Sequence, residues 1–286
     1  MGAGLATLKS WLEHPLTRGL DLDDPDTTAL RLQIVREKRF LRKIYEEWYA
    51  AIAAALPPGD SPVLELGSGA GFLKDYVPGL ITSDVFLCPG VDRVVDALDL
   101  PFAAGELRGI TMLNVFHHVP RVREFLTQAT RCVQPGGALV MIEPWITPWS
   151  RLVYKHLHHE PIDEQTQTWE FAAGGPLSSA NGALPWIVFQ RDRAIFEAEF
   201  PAWRIDALRP MMPLRYLLSG GISLRSLVPG WSFGFWRGCE NALARWMHKL
   251  AMFAIIRLVR VDSTSATGGR DALNGNSPGG QAACQA

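Results

Sequence analysis

The stretch "VLELGSGAGF", residues 63–72, places three glycines, a serine and an acid directly behind a short apolar run. Val63–Leu66 has the length and composition of a strand buried on both faces. Glycine has no Cβ, so Gly67, Gly69 and Gly71 permit a sharp turn and a close approach of a ligand to the backbone. A backbone this bare at the end of a strand predicts a small-molecule site.

The pattern repeats downstream. Leu80–Ser83 is a second strand candidate ending at Asp84, Val91–Val95 a third ending at Asp96, and Ile110–Asn114 a fourth. Ala138–Ile142 is a fifth, stopping at Glu143. A short helix is expected between the glycine turn and Pro78-Gly79, and another over Val122–Cys132. Strands that are apolar throughout and separated by helices or turns predict an α/β fold, Rossmann-like, with a doubly wound, mainly parallel sheet. Ligands of such sheets bind beyond the carboxyl ends of the strands. Glu65, Asp84, Asp96 and Glu143 all fall there.

Upstream, residues 1–26 form an extension and residues 27–56 read as one long helix. Leu30, Ile34, Phe40, Leu41, Ile44, Trp48 and Ile52 recur at helical spacing, and Pro57-Pro58-Gly59 stops it. The core is expected over 27–150, and a mostly helical cap that completes the domain over 151–261. Within the cap, "RAIFEAEFPAWRIDALRP" predicts a helix and then an edge strand. "NALARWMHKLAMFAIIRLVR" predicts a helix, apolar nearly all round its C-terminal half. Residues 262–286, rich in Gly, Ser, Ala and Asn, read as a disordered tail.

Composition narrows the function classes. The chain has 286 residues, 48% hydrophobic and 20% charged, with a formal charge of −1, so no global field draws it to nucleic acid or to an acidic membrane. Cys88, Cys132, Cys239 and Cys284 form no CxxC pair, which predicts neither a disulfide framework nor a zinc site and makes a reducing, cytoplasmic setting the default. The N-terminus is not a persuasive signal peptide. No apolar run approaches the ~18 residues of a spanning helix.

A dinucleotide fingerprint is GxGxxG with an acid about 20 residues on. Here Gly67, Gly69 and Gly71 alternate, and Phe72 stands where the third glycine belongs. "LELGSGAGF", "TSDV", "VDALDLPF", "NVFHHV" and "PGGALVMIEP", in this order, resemble the motifs of class I S-adenosylmethionine-dependent methyltransferases, in particular the ubiquinone-type and related small-molecule group. The resemblance covers roughly residues 30–145. It implies S-adenosyl-L-methionine as cofactor, with Gly67, Ser68, Gly69 and Gly71 turning under its methionine part. Glu65 would meet the amino group, Asp84 the two ribose hydroxyls, and Asp96 with Ala97 the adenine. Asn114 would lie beside the methionine end, mainly through its backbone. Read without the resemblance, Asp84 and Asp96 serve equally as turn or loop caps. The eleven residues "VFLCPGVDRVV" between Asp84 and Asp96 depart from the family, which places a full helix there. Asp92 is a rival acid in that segment.

Methyl transfer is an in-line displacement that needs alignment, exclusion of water and, for a hydroxyl or acidic carbon, a base. His117 and His118, just after the fourth strand, are candidates with a suitable intrinsic pKa. Glu143 is another candidate base or acceptor contact. On a helix, His156, His159 and Glu160 would share a face, but without an open-site partner they make no metal site. The apolar stretches "RPMMPLRYLLSGGISLRSLVPGWSFGFW" and "WMHKLAMFAIIRLVR" point to a lid over an apolar or lipid-like acceptor, to peripheral membrane contact, or to burial against the sheet. A nucleic-acid substrate is disfavoured, since no basic module is present. The remaining alternatives are a non-catalytic methyltransferase-like binder and a nicotinamide-dependent oxidoreductase.

Overall fold

The computed structural model describes residues 25–69, 71–157, 161–172, 174–175 and 179–261. Helices α1 (Pro25–Glu37) and α2 (Arg39–Ala55) lead into β1 (Val63–Leu66) and the glycine turn. Strands β2 (Leu80–Asp84), β3 (Arg93–Val94) and β4 (Leu107–Leu113) follow, then α3 (Val122–Cys132) and β5 (Val133–Pro144). The second half holds α4 (Pro148–Leu157), α5 (Leu184–Trp186) running into a π-helical turn (Ile187–Arg191), α6 (Arg193–Glu199) and β6 (Trp203–Met211). It ends with α7 (Arg215–Ser219), α8 (Phe233–Ala242), α9 (Met247–Leu250) and β7 (Phe253–Arg260).

The seven strands lie in the order β3-β2-β1-β4-β5-β7-β6. The first five are mutually parallel, whereas β7 pairs antiparallel with both β5 and β6. The order reverses between β1 and β4, the switch point at which the crevice beyond the strands opens. Both faces are covered. Trp48 of α2 packs on Phe253, and Arg257 donates to the Ala55 carbonyl at 2.7 Å, so the odd residues of β7 face α2. Trp203 pairs in register with Arg260 and donates to Thr130 of α3 at 2.8 Å, so the even residues face α3. The doubly wound, mainly parallel architecture expected from the apolar runs is what the chain forms.

The structure corrects several local expectations. Residues 241–260 are not one helix: a short helical stretch ends at Leu250, and "FAIIRLVR" is strand β7. Its all-round apolarity reflects burial of both faces of a strand inside the sheet, not of a helix within a core. The long N-terminal helix breaks at Lys38, whose φ −78 and ψ 85 leave the helical region. The Lys38 ammonium donates to the carbonyls of Gly221 and, at 2.7 Å, Leu224, which draws the side chain into the cap. Burial lowers its pKa to about 8. The helix expected after the glycine turn is a single 3-10 turn, Leu73–Asp75. The third strand shrinks to Arg93–Val94, and the fourth begins at Leu107. The Asp84–Asp96 crossover is indeed a loop, with Leu87 81% exposed on it.

The cap is fastened to α2 through Arg215, which is buried. Its guanidinium bonds both oxygens of Glu47 of α2 at 2.7 and 2.8 Å, and bonds Glu240 of α8. The other Glu240 oxygen accepts the backbone N–H groups of Leu214 and Arg215 at 2.9 and 2.8 Å. Such a buried network fixes geometry more surely than it adds net stability.

Candidate active site

The glycine turn is built from its own backbone. Ser68 N–H donates to the Ser83 carbonyl at 2.8 Å, and Ser83 Oγ donates to the Glu65 carbonyl at 2.7 Å. β1 and β2 are thereby stitched together just past their paired residues. Gly67 sits at φ +64, and a Cβ there would lie 2.4 Å from Val115 Cγ2. At Gly71 a Cβ would strike the Ser68 carbonyl and the Tyr49 hydroxyl, both at 2.7 Å. Close approach therefore requires both glycines, and the left-handed backbone requires glycine at position 67 as well.

Asp84 ends β2 and faces the turn. Its Oδ2 accepts Gly69 N–H at 3.0 Å and its Oδ1 accepts Val85 N–H at 2.7 Å. The Phe86 N–H adds a third bond to the carboxylate. Burial raises the Asp84 pKa despite these N–H bonds. Glu65 is 3% exposed, and its Oε2 has no partner among the described residues. Burial pushes its pKa up to about 7, a bond from Ser68 opposes the rise, and the nearby Asp84 charge adds to it.

A raised carboxyl pKa has a definite sign in stability. In the unfolded chain Glu65 titrates near 4.5 and in the fold near 7, so folding favours the protonated form. Its contribution is full below pH 4.5 and is lost as pH rises through 7, a decline of about 3 kcal/mol. Asp84 acts in the same direction. Denaturant titrations between pH 5 and 8 are expected to show this decline in the ligand-free protein, and Glu65→Gln should flatten it.

The other sequence-derived residues fall into distinct settings. Asp96 is exposed, and its Oδ1 accepts Leu98 N–H at 2.9 Å, closing a turn over which half-buried Ala97 packs on the core. Asn114 adopts φ 56, donates its N–H to the Ile142 carbonyl at 2.9 Å and leaves its buried Oδ1 without a partner among the described residues. Asp92, the rival acid, is a surface pin. Lys74 at 2.8 Å, then Thr82, hold its pKa down to about 2.

Glu143 and His117 form a buried pair. Glu143 Oε1 accepts the N–H groups of Val115 and Phe116 at 2.9 and 2.8 Å, and its Oε2 meets His117 Nδ1 at 2.7 Å. The carboxylate thus caps the 3-10 turn Phe116–His118 and orients the first histidine of that turn. A carboxylate accepts, so Nδ1 carries the proton and Nε2 is the basic nitrogen. His118 stacks obliquely at 4.2 Å and donates from Nδ1 to the Ser179 carbonyl at 3.1 Å. His117 and Glu143 are therefore brought together as one unit, whereas His118 is tied to the 179–181 segment. His156 lies near the end of α4, and His159 and Glu160 lie outside the described residues. So do the 1–24 part of the extension and the 262–286 tail.

One residue at the turn escaped the sequence reading. Tyr49 of α2 reaches the turn, and its hydroxyl accepts Phe72 N–H at 3.4 Å. Burial first, then the Glu65 charge, push its pKa well up. Phe72 packs edge-on against Tyr49 at 4.8 Å and stacks with Tyr45 at 6.4 Å. The signal was present: Tyr45 and Tyr49 stand at i, i+4 on the buried face of α2.

A family model described as a methyltransferase domain matches residues 64–141. No curated protein matches the chain. Among solved structures, geranyl diphosphate C-methyltransferase from Streptomyces coelicolor A3(2) is 14% identical, with a TM-score of 0.45 over 80% of this chain and 82% of its own. An S-adenosylmethionine dependent methyltransferase from Mesorhizobium loti is 14% identical, with a TM-score of 0.43 over 73% and 96%. The matched segment holds the glycine turn, Asp84, Asp96 and strands β1 to β4, so this part of the chain is similar to a methyltransferase domain.

Proposed function

We propose that the protein methylates an oxygen or acidic carbon of a small apolar or lipid-linked acceptor, with His117 as general base. The observation behind this is the buried Glu143–His117 pair at 2.7 Å, set on the loop that leads out of β4 beside the glycine turn. The cofactor fits the residues present. Glu65 Oε2 and Asn114 Oδ1 are buried acceptors without partners among the described residues, as an ammonium-bearing ligand would require. Glu65, Gly67, Ser68, Gly69, Gly71 and Asn114 would hold the methionine part, Asp84 the ribose, and Asp96 with Ala97 the adenine. When bound, the cofactor supplies an electrophilic methyl group on a cationic sulfur.

The chain's own residues then have three tasks. Asp84 and the turn fix the position of the methyl donor, and the aromatic wall of Tyr45, Tyr49 and Phe72 excludes water beside it. His117 Nε2 would take the proton of the acceptor's hydroxyl or acidic carbon. Glu143 holds the ring in the required tautomer and stabilises the imidazolium that results, a positioning role. The abundance of Trp and Phe in the second half of the chain favours an apolar acceptor.

A nicotinamide site is disfavoured on a specific observation. The turn is followed by one 3-10 turn, so it offers no α-helix N-terminus to a pyrophosphate. Calorimetric titration with S-adenosylmethionine tests the cofactor reading, and Asp84→Ala is expected to weaken binding by at least about tenfold. Preference for NADH over S-adenosylhomocysteine would overturn it. Transfer is tested by comparing metabolites with and without the protein for pairs that differ by one methylene in mass. Cofactor binding without any such pair would favour the non-catalytic alternative.

A further inference from the structure

The outer face of α8 has no place in the chemistry above. Trp231 is 84% exposed, Phe235 66% and Leu227 55%. Trp231 lies in the one-turn 3-10 helix Gly230–Ser232 that runs directly into α8, four residues before Phe235. Gly234 and Gly238 flank Phe235 in the sequence, and a Cβ at either would meet nothing within 4 Å. The rings therefore stand proud of a low surface and do not line a groove. The inner face is anchored, with Phe233 packed edge-on to Phe40 at 5.3 Å and beneath the Arg215 guanidinium at 4.9 Å.

Exposed charge in this segment has one sign. From Ser226 to Lys249 the Lys, Arg, Asp and Glu residues are Arg237, Glu240, Arg245 and Lys249. Glu240 is buried against Arg215, so every exposed member of the set is cationic, on a chain whose formal charge is −1. Trp246, 40% exposed, adds a further aromatic under the Arg245 guanidinium at 4.1 Å. The face also looks the right way. α2 ends at Ala55, and the Pro57 carbonyl just beyond bonds Arg108 near the start of β4, while Tyr49 reaches the glycine turn at the opposite ends of the strands. α8 packs near the start of α2, at Phe40, and so lies on the side of the sheet where the site opens. Among the described residues no helix is long and apolar enough to cross a membrane.

We infer that Trp231, Phe235 and Trp246, with Arg245 and Lys249, form a docking face for an anionic lipid bilayer. Aromatic rings inserted at headgroup depth and cations set against acidic headgroups are the two halves of interfacial binding. The inference deepens the reading of a lipid-linked acceptor, because docking there would bring the site to the bilayer.

The test sediments the full-length chain with vesicles of phosphatidylcholine, alone or mixed with phosphatidylglycerol, in the absence of cofactor and acceptor. Binding is expected with the anionic vesicles, weakening with salt. It should fall about tenfold in a Trp231→Ala, Phe235→Ala variant and comparably in an Arg245→Glu, Lys249→Glu variant. The replaced side chains are exposed, so thermal midpoints should hold. No sedimentation with anionic vesicles at low salt, or binding indifferent to both variants, overturns the inference. So does a concentration-dependent dimer abolished by Trp231→Ala, which would assign the face to a second copy. Calorimetric cofactor binding by the same preparations reads the methyl-transfer proposal separately.

Discussion

Glu143→Gln is expected to lower methyl transfer by two to four orders of magnitude, about 10²–10⁴-fold, while cofactor affinity stays within a few-fold. The glutamine carbonyl can still accept from Val115 and Phe116, so the cap of the Phe116–His118 turn survives. Its amide nitrogen faces His117 Nδ1 and can only donate, which forces the ring proton to Nε2, the nitrogen that must be basic. Single-turnover transfer measured against pH checks this. Wild-type rates in the variant would reduce the pair to a structural cap. Glu143→Ala is the harsher change, since two buried N–H groups lose their acceptor at about 1–3 kcal/mol each. A fall in its thermal midpoint that Glu143→Gln does not share would separate folding from proton transfer.

Gly67→Ala is the second large effect. The left-handed backbone costs an L-residue about 1–2 kcal/mol. The new Cβ would also lie 2.4 Å from Val115 Cγ2, an overlap that a packed core relieves at about 1–3 kcal/mol. Val115 cannot yield freely, because its N–H is held by Glu143. A loss of roughly 2–5 kcal/mol is expected, with cofactor affinity reduced at least about tenfold. Val115→Ala in the same chain should recover part of the stability but not the backbone component. Denaturant unfolding of the single and double variants measures the partition.

Where a local rule had one outcome, the sequence reading and the fold agree. β1, β2 and α3 lie where apolar runs and turn residues put them, whereas β5 contains its predicted run but begins five residues earlier, at Val133. β7 was misread because "FAIIRLVR" lacks alternation: a strand buried on both faces and a helix buried all round present the same continuous apolarity. No Gly or Pro stands between Leu243 and Arg260 to mark where helix gives way to strand. The break at Lys38 was invisible for another reason, since its cause is a pair of cap carbonyls more than 180 residues away. The site divides along the same line. Glycine spacing exposed the turn, but the occupation of Glu143 by two N–H groups and the approach of Tyr49 depend on distant segments meeting.

The placement of β7 also orders events during synthesis. β5 is interior to the finished sheet, yet its neighbour there is made more than 100 residues later, from Phe253 onward. Until that segment leaves the ribosome, the apolar edge of β5, from Ala138 to Pro144, stands open to any strand that can pair with it. The β1–β5 unit with α3 can assemble early, but it stays a template for misassociation until Arg260 emerges. A chain cut between Met211 and Phe253 would retain the whole glycine turn and the Glu143–His117 pair. It would nevertheless be expected to aggregate rather than catalyse, because what it lacks is the strand that closes the edge.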